Sequence, residues 1–461
     1  MTVENKLSAI IIGAGYAGLA AAIELARNGI KVRVFESVSK LTNQGDVLQL
    51  ASNASRVISK WGKSLETIQS EAASPPFMHC QNEHGEVLVD QVLPAEYNGY
   101  PNLYCNRGGV QRIMYDYAIS IGVEVTFGAR ITKVSEDATS AWIYLGDQKV
   151  VADLVVVADG VHSKSRAYVT GAVEKPKASG FAVYRSWFSM DRLKDDPLLQ
   201  HIVNSDKDQF LVWLGLNTHG MVVTNVKLQT VVCFLTHKDT YDVAESWAFP
   251  GKTSDMLKAC EGWDETLRAV IRRIPENILI DYKLLWRDPV TKWVSDSGRV
   301  VIAGDAAHPH LATSGQGAAQ AIEDGATLGV VLSRGGKSHV PTALKVFERL
   351  RCERTSLTQR MGWELRQVWH QTDWDLVKAN PEVLNMPQPA WLFGGDSEKY
   401  ASDNYDAVVS HLKKGTPFEN TNVPEGYVYQ PWTIESMLER ERMQELETAE
   451  KAKKRSTNGH N

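Results

Sequence analysis

The sequence predicts an α/β fold: a parallel sheet with its helices, interrupted by a mostly antiparallel β-rich insertion and followed by a helical C-terminal region. Three observations predict it. The first forty residues read as strand, glycine-rich turn, helix and strand. Two later apolar runs each end in glycine beside an aspartate, and between them the texture changes to short alternating β segments.

Ser8 to Ile12 is a short apolar run, Gly13 to Gly18 is glycine-rich, and Leu19 to Arg27 carries good helix formers before Asn28-Gly29 stops it. Lys31 to Glu36 (KVRVFE) alternates as a strand and completes a βαβ unit, so the sheet is expected to be parallel. Val150 to Ala158, followed by Asp159-Gly160, and Arg299 to Ala303, followed by Gly304-Asp305, read as central strands of that sheet. The second leads into a helical segment through Leu332. Within Ser179 to Leu285, the runs GFAVYRSWF, QFLVWLGL, GMVVTNVK and TVVCFLTH predict a separate antiparallel sheet. Beyond Pro341 helical patterns dominate, and tryptophans recur at Trp363, Trp369, Trp374 and Trp391. The expected division is a discontinuous cofactor domain at 1–75, 101–178 and 286–365, a substrate domain at 76–100 and 179–285, and a C-terminal helical region with a polar tail at 366–461. The active cleft is expected where the first two meet.

With 43% hydrophobic and 23% charged residues in 461, the composition is that of a globular chain. A net charge of -5 gives no long-range attraction for phosphate backbones, which disfavours nucleic acid and favours a small organic ligand. Cys80, Cys105, Cys233, Cys260 and Cys352 are odd in number and scattered, as expected of reduced thiols in a cytoplasmic protein. Leu7 to Ala26 lacks a basic leader, is cut by glycines and carries Glu24, so it reads neither as a signal peptide nor as a membrane span. From Glu435 the chain reads as a charged helix fading into a polar tail. No metal site is expected, because clustered Cys/His and H-x-x-x-H spacings on a helix are missing, and no G-x-S-x-G elbow points to a hydrolase.

Gly13-Ala14-Gly15-Tyr16-Ala17-Gly18 has the spacing that turns a strand sharply into a helix and brings backbone N–H groups against a pyrophosphate, as in a Rossmann-like unit. Glu36 ends the next strand, where a carboxylate accepts hydrogen bonds from ribose hydroxyls. Arg107, ahead of a helix, is either a second cationic clamp on the phosphates or an ordinary surface arginine. Asp159 and Asp305 stand at the carboxyl ends of strands, the ligand-facing edge of an open α/β sheet. In RVVIAGDAAHPHLATSGQGAAQAIEDGATL, Gly315 and Gly317 open a helix whose free N–H groups would stabilise negative charge on a reduced flavin.

Together these motifs resemble the flavoprotein monooxygenases of the para-hydroxybenzoate and salicylate hydroxylase type. The resemblance implies a Rossmann-like domain holding non-covalent FAD, with Glu36 on the adenosine ribose, Arg107 on the FAD phosphates, Asp305 on the ribityl chain and Asp159 near the docking path of NADPH or NADH. More narrowly, Gly45 to Gly62, Gly180 to Phe188 and Trp369 to Tyr400 look like fungal members acting on aromatic polyketides, prenylated indoles or salicylate-like phenols. One departure is Ala312, where many relatives carry proline; a stiff loop beside the flavin would be lost.

Arg185 and Trp187 share one strand face and Tyr184, Ser186 and Phe188 the other, so Arg185 either lines the cleft or packs its stem on the sheet. Asp46 would pair with Arg185, act on a substrate proton, or simply form a turn. His308 and His310 read as structural rather than as bases, and His162 and His219 carry less signal still. The expected function is FAD-dependent monooxygenation of an electron-rich small aromatic with dioxygen and NAD(P)H, in fungal secondary metabolism. The alternatives are a flavin reductase or oxidase that inserts no oxygen, and a non-catalytic dinucleotide-binding module.

Overall fold

The computed structural model describes residues 6–41, 46–239, 249–371, 374–443 and 446. Ser8–Ile12, Lys31–Phe35, Leu154–Val157, Val300–Ile302 and Glu124–Thr126 form a five-stranded sheet, parallel throughout, with Ser8–Ile12 at its centre. The central strand is buried on both faces, which is why it reads as an unbroken apolar run.

Two sequence expectations change here. The run from Val150 to Ala158 is two strands, not one: Gln148–Ala152 belongs to a three-stranded antiparallel sheet with Lys133–Glu136 and Ala141–Leu145, and only Leu154–Val157 joins the parallel sheet. Asp153 marks the break, its carboxylate accepting from the Ser8 N–H at 2.7 Å and the Ser8 hydroxyl at 2.8 Å. Val300–Ile302 lies at the edge of the parallel sheet rather than inside it.

Helix Tyr16–Arg27 packs closely on helix Gly317–Gly335. A Cβ at Gly325 would stand 2.5 Å from the Ala20 carbonyl carbon, so only glycine allows this approach. The buried Glu24 on the same helix is held by the Trp61 indole and by Arg27.

The second large sheet has seven strands, in the order Ile280–Trp286, Lys177–Ser189, Thr230–Lys238, Thr218–Asn225, Phe210–Gly215, Phe77–Asn82 and Val87–Val92. All its pairings are antiparallel except Phe210–Gly215 with Phe77–Asn82. Along Lys177–Ser189, Tyr184, Ser186 and Phe188 are buried while Arg185 and Trp187 are half-buried on the other face. Trp187 packs against a hydrophobic cluster that includes Leu365 and Trp369 of the 32-residue helix Val340–Gln371 and Met386 from the segment after it. That face of the sheet is therefore roofed by the C-terminal third of the chain. Helix 434–443 lies within that third, and the polar tail from 447 is outside the described residues.

Candidate active site

Two of the three glycines of the first turn have a steric reason. A Cβ at Gly13 would meet the Ala158 carbonyl oxygen at 2.4 Å, and one at Gly18 would meet the Gly13 carbonyl oxygen at 1.9 Å. At Gly15 nothing lies within 4 Å, so this side of the turn is open. Helix Tyr16–Arg27 starts at Gly15 without a side-chain cap, leaving its first N–H groups for a ligand. Glu36 accepts from the Ala14 N–H at 2.7 Å and from the Val38 N–H at 2.9 Å, so the carboxylate stands beside this open turn.

Helix Gly317–Gly335 likewise begins without a side-chain cap. Gly315 has a φ of +60°, and a Cβ there would stand 2.3 Å from Gln49 Oε1. The loop before it lacks the expected proline at Ala312 but is tethered by other means. Thr313 donates to the Gly362 carbonyl at 2.6 Å, Gln359 to the Pro309 carbonyl at 2.9 Å, and His310 bonds the Thr358 hydroxyl at 2.8 Å. Stiffness thus comes from the neighbouring helix rather than from a ring.

A charged centre joins strand Lys177–Ser189 of the seven-stranded sheet to the segment just before strand Val47–Leu50. Arg185 Nη1 lies 2.5 Å from Asp46 Oδ2, with both side chains largely buried, and the guanidinium stands 4.9 Å from the Tyr282 ring centre. The Arg107 N–H donates to the Asp46 carbonyl at 2.9 Å, and the Tyr16 hydroxyl donates to the Arg107 carbonyl at 2.6 Å. Burial opposes the charge on Arg107, but the carboxylate of Asp46, then Tyr16 and Asp305, outweigh it and raise its pKa. Burial pushes Asp305 up while Arg107 and His308 pull it down. Asp46, Arg107, Arg185 and Asp305 are therefore brought together. Glu36 sits apart, with the glycine turn, and Asp159 stands at the end of Leu154–Val157, its Oδ1 buried without a partner and its pKa raised by burial. Gly45, which opens one of the resembling segments, lies outside the described residues.

Behind the Gly304-Asp305 loop is a buried ionic network that the sequence reading missed. Asp324 accepts from the Gly304 N–H at 2.9 Å, from Arg351 at 2.8 Å and pairs with His308 at 2.6 Å. Glu323 pairs with Arg351 at 2.5 Å and with Arg354 at 2.9 Å, and accepts from Asn53 at 2.7 Å. Burial alone would raise both carboxyl groups. Arg354 and Arg351 for Glu323, and His308 and Arg351 for Asp324, instead hold each at about 2. The available signal was an acidic pair on one apolar helix and Arg351 and Arg354, a turn apart, on the next. Burial pushes His310 down to about 3, so it is neutral at physiological pH; it and His308 are tied into the loop, as structural residues are.

These residues fit a flavin dinucleotide: two uncapped helix starts, an open glycine turn, a carboxylate beside it and the orphaned Asp159 oxygen. Among the described residues no group of three or more His, Cys, Asp or Glu is arranged to hold a metal, and no helix is long and apolar enough to cross a membrane.

Residues 6–352 match the family described as FAD binding domain. An asperlicin C monooxygenase from Petromyces alliaceus is 35% identical over 434 residues, covering 91% of this chain and 94% of that protein. The crystal structure of CtdE in complex with FAD and a substrate is 31% identical, with a TM-score of 0.84 over 89% of this chain and 100% of that one. Native FqzB is 32% identical, with a TM-score of 0.84 over 92% and 98% of the two chains. The site's fit to a flavin dinucleotide, the family match over residues 6–352 and relatives similar over nearly their whole length place the chain in the FAD binding domain family, among its fungal FAD-dependent monooxygenases.

Proposed function

We propose that the chain uses NAD(P)H and dioxygen to hydroxylate or epoxidise an electron-rich aromatic, of the phenol, aromatic polyketide or indole alkaloid class. The observation that carries this reading is the Arg185–Asp46 pair, which sets a cation on the cleft face of the seven-stranded sheet beside Arg107 and Asp305. In this reading 1–75, 101–178 and 286–365 hold FAD, 76–100 and 179–285 hold the substrate, and 366–461 is a C-terminal helical region with a polar tail.

Bound FAD would supply the redox chemistry that links a reduced nicotinamide to dioxygen. The chain's own residues bind and orient. The Gly13–Gly18 turn and Arg107 take the pyrophosphate, Glu36 the adenosine ribose and Asp305 the ribityl hydroxyls; Asp159 lines the nicotinamide path. The helix start at Gly315 to Gly317 steadies negative charge on the cofactor. Arg185, fixed by Asp46, orients the ring and stabilises charge developing on its oxygen.

Glu36→Ala is expected to weaken FAD binding by about 1 to 3 kcal/mol, the range for losing charge-assisted hydrogen bonds. Equilibrium titration of the apoprotein with FAD measures this, and unchanged affinity would remove Glu36 from the site. Because the sequence carries no second G-x-G-x-x-G unit, NAD(P)H is expected to bind weakly and to reduce the flavin quickly only when an aromatic ligand fills the cleft. Rapid-mixing reduction across a panel of phenols and indoles tests the functional reading; equal rates with and without every ligand contradict it.

A further inference from the structure

Helices Gly317–Gly335, Val340–Gln371 and Ser397–Lys414, with the segments that carry Trp391 and Asn422, surround a cavity of about 180 Å³. None of Asp46, Arg107, Arg185 or Asp305 lines it, so it is distinct from the cleft. Thr421, an exposed residue, does line it, so the cavity opens to solvent. Its buried wall includes Glu323 and Arg351, which belong to the ionic network behind the Gly304-Asp305 loop.

The donors of this wall are already engaged. Each N–H of Arg354 has an acceptor. Its Nε and Nη2 reach Glu323, each at 2.9 Å, Nη2 also reaches the Leu392 carbonyl at 3.2 Å, and Nη1 reaches the Asn422 and Trp391 carbonyls at 2.7 and 3.4 Å. Arg351 is bonded at all three nitrogens, to Asp324, Glu323 and Gln320. The Tyr400 hydroxyl donates to Asn420 at 2.6 Å and accepts the Thr421 N–H at 2.8 Å. The acceptors are not used up. Ser397 Oγ and Asn422 Oδ1 find no partner among the described residues. The Asp396 carboxylate accepts one N–H on each oxygen, from Lys399 at 3.0 Å and Arg56 at 3.1 Å, about half of what a carboxylate can take.

A ligand that completes this wall therefore brings hydrogen-bond donors. Charge is already balanced, Glu323 and Asp396 against Arg351 and Arg354, which favours a neutral molecule. Leu350 and the half-buried rings of Trp391 and Tyr400 give the ligand an apolar surface to lie on. The volume lies well below the roughly 300–1,000 Å³ of sites for drug-sized ligands, which limits the occupant to about one ring.

We infer that this cavity is an effector site, separate from the cleft, for a small neutral aromatic carrying an O–H or N–H donor, a phenol or an aromatic amine. A ligand there bears on Glu323 and Arg351, and through them on Asp324, which holds the Gly304 N–H beside Asp305. Occupancy thereby steadies the loop, a coupling that rests on the proposed seat of FAD against Asp305.

The test uses the FAD-loaded full chain with a trifluoromethyl tag on Thr421→Cys at the cavity mouth, whose fluorine resonance reports occupancy of this cavity rather than of the cleft. The probes are phenol and toluene, which matches it in size but lacks the O–H. Phenol is expected to shift the tag saturably and to bind about tenfold more tightly than toluene, the discrimination of one buried hydrogen bond. Ser397→Ala combined with Asn422→Leu is expected to close that gap, and either substitution alone should narrow it if the pair folds poorly. Saturating phenol is also expected to raise the temperature of FAD release, and to raise it less in the substituted chain. No saturable shift, equal affinity for the two probes, a gap that survives the substitutions, or a release temperature that phenol moves equally in both chains overturns the effector site. Oxygen insertion is judged separately, by product mass, so the proposed function stands or falls on its own.

Discussion

Arg185→Ala is expected to keep its FAD and still accept electrons from NAD(P)H, yet to lose about a hundredfold in product formation, the usual effect of removing one strong electrostatic donor. The guanidinium is fixed on two sides, by Asp46 at 2.5 Å and by the Tyr282 ring at 4.9 Å, so it is preorganised before substrate arrives. A preorganised cation facing charge that develops in the transition state affects turnover more than binding. Reducing equivalents that no longer reach substrate should leave as peroxide. Asp46→Ala should be milder, because it frees Arg185 without removing the charge, and the double variant should be clearly less than additive. Product yield per NAD(P)H consumed measures the effect; full coupling in Arg185→Ala would reduce this arginine to a packed strand residue.

Asp324→Ala is expected to destabilise the fold by about 3 to 5 kcal/mol, because it leaves buried His308 without its carboxylate partner and takes one of the two carboxylates from buried Arg351. It also releases the Gly304 N–H, so FAD should be lost at lower temperature than from the unaltered protein. Glu323 and Asp324 titrate at about 2 in the folded chain, below the roughly 4 of an unfolded carboxylate. The folded pKa values are depressed, so their contribution is fully present above pH ~4 and is lost as pH falls toward about 2. Acid unfolding should steepen across that window in the unaltered protein and flatten in Asp324→Asn. Denaturant titrations at neutral pH and near pH ~3 measure both effects; an alanine variant within about 1 kcal/mol of the unaltered protein would show that the network carries little.

The parts of the fold legible in the sequence are those fixed by local sterics. A Cβ at Gly18 would meet the Gly13 carbonyl within the same turn, and the glycine spacing announces the strand-turn-helix without tertiary information, although the limit on Gly13 itself comes from Ala158. The alternation around Arg185 likewise gave its strand face, and pairing with Asp46 was one of the readings that the residues allowed. What could not be read depends on distant segments meeting. Asp324 and Arg351 are 27 residues apart on different helices, and their charges looked like ordinary polar positions until the helices were packed. Asp153 interrupts the apolar run from Val150 to Ala158 where Ser8 and Lys337, both distant in sequence, meet its carboxylate. The Trp286–Trp363 stack joins a strand end to a helix 77 residues later, and neither tryptophan signals alone that its N–H lacks a partner.

The central claim is that NAD(P)H supplies the two electrons that let dioxygen be split, one oxygen atom being placed on an aromatic ring and the other leaving as water. It is tested most directly by supplying the FAD-loaded protein with NAD(P)H, isotopically heavy dioxygen and a panel of phenols and indoles, and weighing the products. The account predicts at least one aromatic product carrying a single heavy oxygen, formed in step with the NAD(P)H consumed. NAD(P)H consumption matched by peroxide, with no heavy oxygen in any product, would contradict it and leave a flavin oxidase in its place.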